Sequence, residues 1–495
     1  MNDKQTSLSS PQTLVMKFGG TSVGTAQAMS QSVDIVHQAR AEWPRIVVIT
    51  SALAKVTNIL LESATLAAQG NIQSLGENEE RLRQMHNTVA EALVPGQVSL
   101  AQVKWEVDHL IAEFSSLCRA ISVLGEATPR ALDAVASLGE RMSVRILSAA
   151  LEARGTPAQF IEATQLIVTD NRFQNAHPDF TATTLKTRLV LEPILSQGIV
   201  PVVTGFIGAT PDGATTTLGR GGSDYTAGIL GAVLPADDVW IWTDVDGVMS
   251  ADPRIAPNAK TIPEITYREI AELAYFGAKV LHPKTIRPVV DAGLANGPMG
   301  KVGIGLRICN TFNPQHPGTR LVVDHPSKNG SGRTGKDIAK AVTAIRGQSL
   351  VTIEGRGMLG VPGVAARTFE AVASTGTSVT LISQASSEQS ICFAIPAEAS
   401  RGVLAALEKA FAVELTDRDI DRIWATEETA IITVVGAGMI HTPGVAGRIF
   451  TALGEQAVNV IAIAQGSSEV SISLMVAGQD TEEAVKAVHE LIVNT

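Results

Sequence analysis

The stretch "TLVMKFGGTSVG", residues 13–24, decides how the first half of the chain is read. An apolar run from Leu14 to Met16 leads into Lys17, then Gly19 and Gly20, then Thr21 and Ser22. Downstream, "AQAMSQSVDIVHQARA" sets Met29, Val33, Ile35, Val36 and Ala39 at helical spacing, and "RIVVIT" follows as a buried-type strand. Strand, glycine turn, helix and strand make a βαβ unit, which implies a parallel sheet. Glycines after the strand let backbone N–H groups converge, and the next helix adds its positive end. With Lys17 as a mobile cation, the turn can be an anion site suited to a phosphoryl group in flight. An ordinary βα turn with a solvated lysine has the same pattern.

Working outward, "ENEERLRQMHNTVAEAL" and "VKWEVDHLIAEFSSLCRAI" carry charged and apolar residues at helical spacing, so 71–130 is expected to be a helical insertion. Strand-like runs return at "AQFIEA", "IVPVVTGFIG", "VWIWTDV" and "GLRIC". The alternation predicts one α/β domain over 13–325, behind a frayed polar tail at 1–12. "HPSKNGSGRTGKD" then breaks the pattern, and 326–340 reads as a linker. Beyond it lies a repeat. Pro362, Gly363, Phe369, Gln384, Ser386, Ser387, Glu388 and Ile391 recur 81 residues later as Pro443, Gly444, Phe450, Gln465, Ser467, Ser468, Glu469 and Ile472. Each copy reads βαββ, part of a ferredoxin-like module, and two copies suggest a pseudo-twofold pair. A duplicated structural unit without a ligand fits the same pattern.

Composition narrows the function classes. The 495 residues imply two to four domains, and 45% hydrophobic residues suffice for large cores. A net charge of −10 argues against nucleic acid or anionic membrane as partners, so any anion site must gather its basic groups locally. Cys118, Cys309 and Cys392 are few, distant and odd in number, which fits a reducing cytoplasm and excludes a disulfide framework or zinc cluster. No apolar run reaches membrane-spanning length, and the first residues lack the marks of a signal or transit peptide.

Other motifs carry chemistry. In "TTTLGRGGSDYTAGIL", Arg220 can grip a carboxylate with paired hydrogen bonds, and Gly221 and Gly222 admit a ligand to the backbone. Ser223 and Asp224 are expected to cap the following helix. In "WIWTDVDGVMSADPR", Thr243 and Asp244 fall at a strand's C-terminal end, where parallel sheets bind ligands. "VASLGERMSVRILSAAL" reads as a helix with Glu140 near its start; Glu140 can take an ammonium group or be an exposed first-turn glutamate. "FGAKVLHPKT" offers Lys279 near a helix end. Two decoys fail. "GSGRTGKD", 330–337, lacks the preceding strand of a P-loop and ends in Asp337. "DVDG" lacks the distal glutamate of a calcium loop.

Taken in order, "KFGGTS", "SALAKVTN", "SLGERMS", "TLGRGGSDYTA", "WTDVDGV", "FGAKVLHP" and "NTFNP" resemble the aspartate kinases of the amino acid kinase family. The duplicated part resembles paired ACT domains, most nearly those of bifunctional aspartate kinase–homoserine dehydrogenases. The resemblance implies an α/β fold: a three-layer αβα kinase domain with a mostly parallel sheet, plus two ferredoxin-like (βαββαβ) ACT domains at 341–425 and 426–495, where a terminal strand can return to the first. It implies phosphorylation of the β-carboxylate of L-aspartate by ATP, with Mg²⁺ held mainly by the nucleotide phosphates. Lys17, Gly19, Gly20 and Ser22 would hold the phosphates. Thr243, Asp244, Arg254 and Lys279 would line the nucleotide site. Thr57, Glu140, Arg220 and Ser223 would hold aspartate, assisted by the backbone of Phe206 and the side chain of Thr217. Lys17 and Asp224 form the catalytic set, Asp224 orienting the site rather than acting as a general base. Lys55 stands where relatives commonly have glycine, and Met249 where they often have an aromatic. Gln384 and Gln465 match the glutamine that contacts threonine in bifunctional relatives, so an allosteric amino acid is expected, threonine first and lysine second. The ACT pair is expected to form a homodimer or homotetramer. A kinase for glutamate, carbamate or a nucleotide, and a non-catalytic amino acid sensor, are the competing readings.

Overall fold

The computed structural model describes residues 12–278, 281, 283–295, 303–322, 338–358, 361–384, 389–466 and 469–493. The described residues fall into two units. The first runs to Val248 and includes 263–267 and 281–322; the second takes 249–262, 268–278 and everything from 338 onward. Two segments that the sequence places inside the kinase domain, 249–262 and 268–278, therefore pack with the C-terminal part.

The first unit is built on an eight-stranded sheet. Its strands are β1 (Thr13–Phe18), β2 (Arg45–Thr50), β3 (Ala158–Ile161), β4 (Val200–Thr204), β7 (Asp238–Thr243), β8 (Glu264–Thr266), β9 (Gly305–Asn310) and β10 (Thr319–Val322), while β5 (Ile207–Ala209) and β6 (Thr215–Thr217) form a separate hairpin. The order is β3-β4-β2-β1-β7-β9-β10-β8, parallel except between β9 and β10. The chain steps from β1 to β2 on one side and later returns to β7 on the other. Such a switch point opens a crevice at the C-terminal strand ends.

Alternation along β1 sorts its side chains. Leu14, Met16 and Phe18 enter one core with Met29 of α2 (Ala26–Ala39), Leu60 of α3 (Val56–Ala68), Leu82 of α4 (Leu75–Leu93), Phe114 of α5 (Gln97–Leu124) and Leu147 of α6 (Pro129–Ala153). Each such fully buried side chain contributes about 1.5–3 kcal/mol. The expected helical insertion is thus α4, α5 and the start of α6. Lys17 points to the opposite face of the sheet, where α8 (Gly222–Val233) packs on β1 and β7. The short α1 (Gly20–Val23) and α7 (Phe180–Ser196) complete the first part of this unit; α10 (Pro283–Ala295) packs on α8. The helix α9 (Tyr267–Tyr275) lies between β8 and α10 in the chain.

The second unit holds one antiparallel sheet of six strands: β11 (Ala341–Glu354), β12 (Leu381–Gln384), β13 (Ser390–Pro396), β14 (Arg422–Val435), β15 (Ala462–Gln465) and β16 (Ser471–Ala477), in the order β12-β13-β11-β14-β16-β15. Two bulge-like register shifts divide the long β11/β14 pair. Residues 348–354 join β12, β13 and the start of β14, whereas 341–345 edge the rest of β14, which carries on to β16 and β15. Each ferredoxin-like module is completed by a strand half from the other. The last described element is α15 (Thr481–Val493), so the exchange runs through β11 and β14 rather than through a terminal strand. The remaining helices are α11 (Val364–Ser374), α12 (Ser400–Ala410), α13 (Ala412–Asp417) and α14 (Val445–Glu455). The expected Pro-Gly helix starts are present, with Gly363 and Gly444 as N-caps of α11 and α14. The expected linker 326–340 and the P-loop lookalike lie outside the described residues except for 338–340.

Candidate active site

A cavity of about 560 Å³ opens at the C-terminal ends of β1, β2 and β4, lined by Lys17, Gly20, Thr57 and Glu140 and, from the β4–α8 region, by Phe206, Thr217, Arg220, Ser223 and Asp224. Sequence neighbours do not explain this convergence; strand order does.

Lys17 Nζ lies 2.6 Å from Asp224 Oδ1, with both side chains largely shielded from water. The pair exists because β1 alternation sends Lys17 toward α8 and because Asp224 sits in the first turn of that helix. Here the structure corrects the capping expectation. The N-cap is Gly221, in the left-handed region at φ 70°. A glycine takes that conformation without strain. Ser223 and Asp224 are therefore inside the helix, and their side chains are released toward the cavity.

Glu140 is neither exposed nor in a first turn. The helix α6 begins at Pro129 behind a Thr128 cap, which carries Glu140 into the helix interior at 4% exposure. Its Oε1 accepts from the Ala52 N–H at 3.2 Å, and among the described residues Oε2 has no partner. Burial pushes this carboxyl up to about 8, partly offset by the Ala52 hydrogen bond. A buried carboxyl with one bare oxygen, facing a cavity, is a receptor for a cation that restores its charge. At Gly139 a side chain would bring a Cβ within 2.8 Å of Ala52 Cβ, so the helix approaches the 51–54 loop as closely as glycine permits. That loop ends at Lys55, which holds the left-handed conformation (φ 73°), and Thr57 follows in the first turn of α3.

Arg220 is exposed at the cavity rim, beside Gly219 and Gly221, which both have positive φ. Phe206 also has positive φ (69°), but its N–H donates to Thr226 Oγ1 at 3.0 Å and its carbonyl accepts from Leu218 N–H at 2.8 Å. Its backbone shapes the wall with hydrogen bonds already made. Thr217 Oγ1 donates to Asp133 at 2.7 Å.

Other expected residues lie elsewhere. The Gly19 N–H donates to Trp242 O at 3.2 Å, which sets the glycine pair beside the end of β7. Ser22 is fully buried, its hydroxyl 2.7 Å from that of Thr311, so its side chain braces the turn instead of facing the cavity. Thr243 and Asp244 sit at the β7 end, the threonine hydroxyl donating to Asp244 at 3.2 Å. Arg254 belongs to the second unit and is bound to Asp252 through Nε and Nη2. Met249, in the same unit, bridges to Thr261. Lys279 lies outside the described residues.

Two acidic residues escaped the sequence reading. Asp246 accepts from Asn310 Nδ2 at 2.9 Å and from Asn313 Nδ2 at 3.0 Å, fixing the loop after β7 to the end of β9. Asp133 faces the cavity at 1% exposure. Its spacing from Glu140, seven residues on one helix, was the available signal.

In the second unit, Gln384 closes β12 beside a cavity of about 310 Å³ lined by Met358, residues 361–365 and Ile391. Gln465 holds the equivalent place at the end of β15. Among the described residues no helix is long and apolar enough to cross a membrane.

Comparison with known proteins agrees with this geometry. The family model described as "Amino acid kinase family" matches residues 12–295, and an ACT domain model matches 351–411 and 432–491. Bifunctional aspartokinase/homoserine dehydrogenase 1 of Zea mays is 36% identical over 96% of this chain and 50% of its own length. Aspartokinase 1 of Arabidopsis thaliana is 32% identical over 97% of this chain and 80% of its own. The structure of E. coli aspartokinase III with aspartate and ADP superposes with a TM-score of 0.77 at 30% identity, covering 97% of this chain and 100% of that one. Its complex with lysine and aspartate gives 0.73 at 31% identity, over 97% and 99%. The chain spans about half the length of the bifunctional relatives it matches. On these grounds the chain belongs to the amino acid kinase family, as an aspartokinase homologue with a C-terminal pair of ACT domains.

Proposed function

We propose that the chain is an aspartate kinase, transferring the γ-phosphoryl group of ATP to the β-carboxylate of L-aspartate to give 4-phospho-L-aspartate, the entry to lysine, threonine and methionine synthesis. The observation that carries the reading is the polarity of the 560 Å³ cavity: a buried, incompletely bonded Glu140 and, on other walls, the cations of Lys17 and Arg220. An amino acid with a second carboxylate matches that distribution, its ammonium on Glu140 and a carboxylate on Arg220. The cocrystallised aspartate and ADP of the E. coli relative support it.

A carboxylate is already a nucleophile at neutral pH, so the task is to hold two anions together. Lys17 offsets charge on the transferring group and its leaving oxygen. Asp224 holds Lys17 in place and orients it. The glycine turn borders the cavity, and Gly20 lets it pack on the 51–54 loop, where a Cβ would come within 3.1 Å of Ala52 O. Magnesium held mainly by the nucleotide phosphates would supply further charge neutralisation, and Asp224 would offer it a hard oxygen donor beside Lys17.

The ACT pair is read as the seat of feedback inhibition, by threonine first and lysine second. The match to bifunctional relatives and Gln384 beside its cavity favour threonine; the lysine complex of the E. coli relative favours the second reading. Assembly into a homodimer or homotetramer through the ACT modules belongs to the same proposal. Ile382 and Ile463, 81 residues apart on the two edge strands, are 52% and 45% exposed, as an edge awaiting a second copy would be. The free cysteines fit the cytoplasm. Coupled ADP release with aspartate, glutamate or neither, each with and without threonine or lysine, tests the whole reading. Equal ADP release with and without aspartate would sink it.

A further inference from the structure

Asp133 and Glu140 are two turns apart on one face of α6, and both face the cavity. Asp133 is the saturated one. It accepts from the Gln174 N–H (3.1 and 2.9 Å to its two oxygens), the Thr217 N–H (2.9 Å) and the Thr217 hydroxyl (2.7 Å). These donors come from two separate chain segments. Gln174 sits at positive φ (69°) in the loop before α7. Thr217 ends β6 and leads into the Gly219–Arg220–Gly221 turn, which rests on the same loop. A Cβ at Gly219 would lie 2.9 Å from Asn175 Oδ1 and 3.1 Å from Gln174 O. The carboxylate therefore ties α6, the 174 loop and the arginine turn at one point.

Proton bookkeeping gives this clamp a consequence for ligands. Burial raises the pKa of Asp133 and the Gln174 and Thr217 donors partly offset it; toward the carboxylate the Thr217 hydroxyl gives its only proton. The backbone N–H groups of Gln174 and Thr217 are spent there too. What remains on the cavity side of Thr217 is an acceptor, on the same wall as the bare Oε2 of Glu140. We propose that Asp133 is a positioning residue that turns the Thr217 hydroxyl into an acceptor toward the cavity and so, together with ionised Glu140, fixes the acceptor substrate with its ammonium toward α6 and its carboxylates toward Arg220 and Lys17. The inference rests on the aspartate kinase reading for the identity of the substrate, not for the clamp.

Kinetics of full-length Asp133→Asn, Thr217→Val and Thr217→Ser, with KM for acceptor and for ATP measured separately, test it. D133N and T217V are expected to raise the acceptor KM at least about tenfold, the effect of roughly 1.4 kcal/mol, and to leave the ATP KM within about twofold. T217S, which keeps the hydroxyl, should restore the acceptor KM. An unchanged acceptor KM in D133N or T217V overturns the inference, as does an equal rise in both KM values. Should D133N fail to fold, T217V against T217S decides alone. If the wild type turns over no amino acid, the aspartate kinase reading fails. The clamp is then judged by amide exchange at Gln174 and Thr217: at least about tenfold faster in D133N or T217V supports it, and equal rates overturn it.

Discussion

The cavity of the first unit and the cavity beside Gln384 in the second are built from opposite materials. The first is ringed by ionisable groups, several of them buried: Lys17 against Asp224, the clamped Asp133, and Glu140 with a bare oxygen. Among the described residues the second is walled by Met358, Val361, Pro362, Val364 and Ile391, with the neutral amide of Gln384 at its edge. Buried charges are costly to hold and strengthen one another's fields, which suits a place where charge must be moved. A cup with no ionisable side chain among its described lining residues makes few demands on stability and can only weigh a ligand's fit. The proposed function puts chemistry in the first and sensing in the second, and that contrast can be broken.

The largest effect is expected at Lys17. Lys17→Ala should lower kcat by about 10²–10³-fold, the usual loss when one preorganised charge-stabilising group is removed. Gln384→Ala, by contrast, should leave uninhibited kcat within about twofold. Steady-state ADP release from both variants checks the pair. Comparable turnover in K17A and wild type would end the phosphate role.

Next is Glu140. Replacing the buried carboxylate by its neutral isostere, Glu140→Gln, should raise the acceptor KM by about 10²-fold, because a desolvated ammonium would lose its counter-charge. The ATP KM should hold steady. A variant whose two KM values move together would mean that Glu140 supports only the fold.

The same residue predicts a pH dependence. In the empty cavity burial holds Glu140 up to about 8, so it is mostly protonated at neutral pH. Binding an ammonium requires the ionised form. Acceptor affinity should therefore climb as pH rises from 6 to 8, by up to about tenfold per pH unit, and binding should release a proton. Calorimetry in buffers of different ionisation enthalpy reads that proton, and E140Q should release none. Stability runs the other way. The folded state holds the proton more tightly than the unfolded chain, so this group's contribution is full below about 4.5 and is lost as pH rises through about 8. Melting curves of ligand-free wild type and E140Q should diverge across that window.

What could be read from the sequence was the part governed by local rules. The βαβ start and the inserted helices follow from periodicity and glycine placement, the repeat from residues recurring 81 positions apart, and the order of motifs from resemblance to a family. The surroundings of residues that needed three dimensions were read in part or missed. Ser22 sits beside two glycines in a phosphate-type motif, yet its hydroxyl turns to Thr311, 289 positions away. Asp224 looked like a cap because the left-handed Gly221 that takes the cap is invisible in a residue list. Glu140 looked like a first-turn residue because Thr128 and Pro129, the real helix start, lay outside the motif. Asp133 carried no motif at all; its partners are 41 and 84 residues away. The strand halves traded by β11 and β14 likewise follow from pairing, which no repeat in the sequence encodes.

The smallest expected effect separates the two copies of the repeat. Gln384 and Gln465 end equivalent edge strands, and Gly363 and Gly444 cap equivalent helices at φ 92° and 83°. Symmetry alone would make both glutamines equal partners of the regulatory amino acid. Losing one neutral hydrogen bond amounts to about 0.5–1.5 kcal/mol, or roughly a twofold to twelvefold rise in the concentration that halves activity. Gln384→Ala should show that rise for threonine, since its side chain borders a cavity large enough for a small amino acid. Gln465→Ala should show an equal or smaller one. If inhibition by threonine is unmoved in Q384A but lost in Q465A, the sensing cavity has been assigned to the wrong copy. If lysine inhibits and threonine does not, the contrast between a charged workshop and a neutral sensor must be redrawn, because a lysine side chain brings a second cation that no described residue lining the Gln384 cavity is charged to meet.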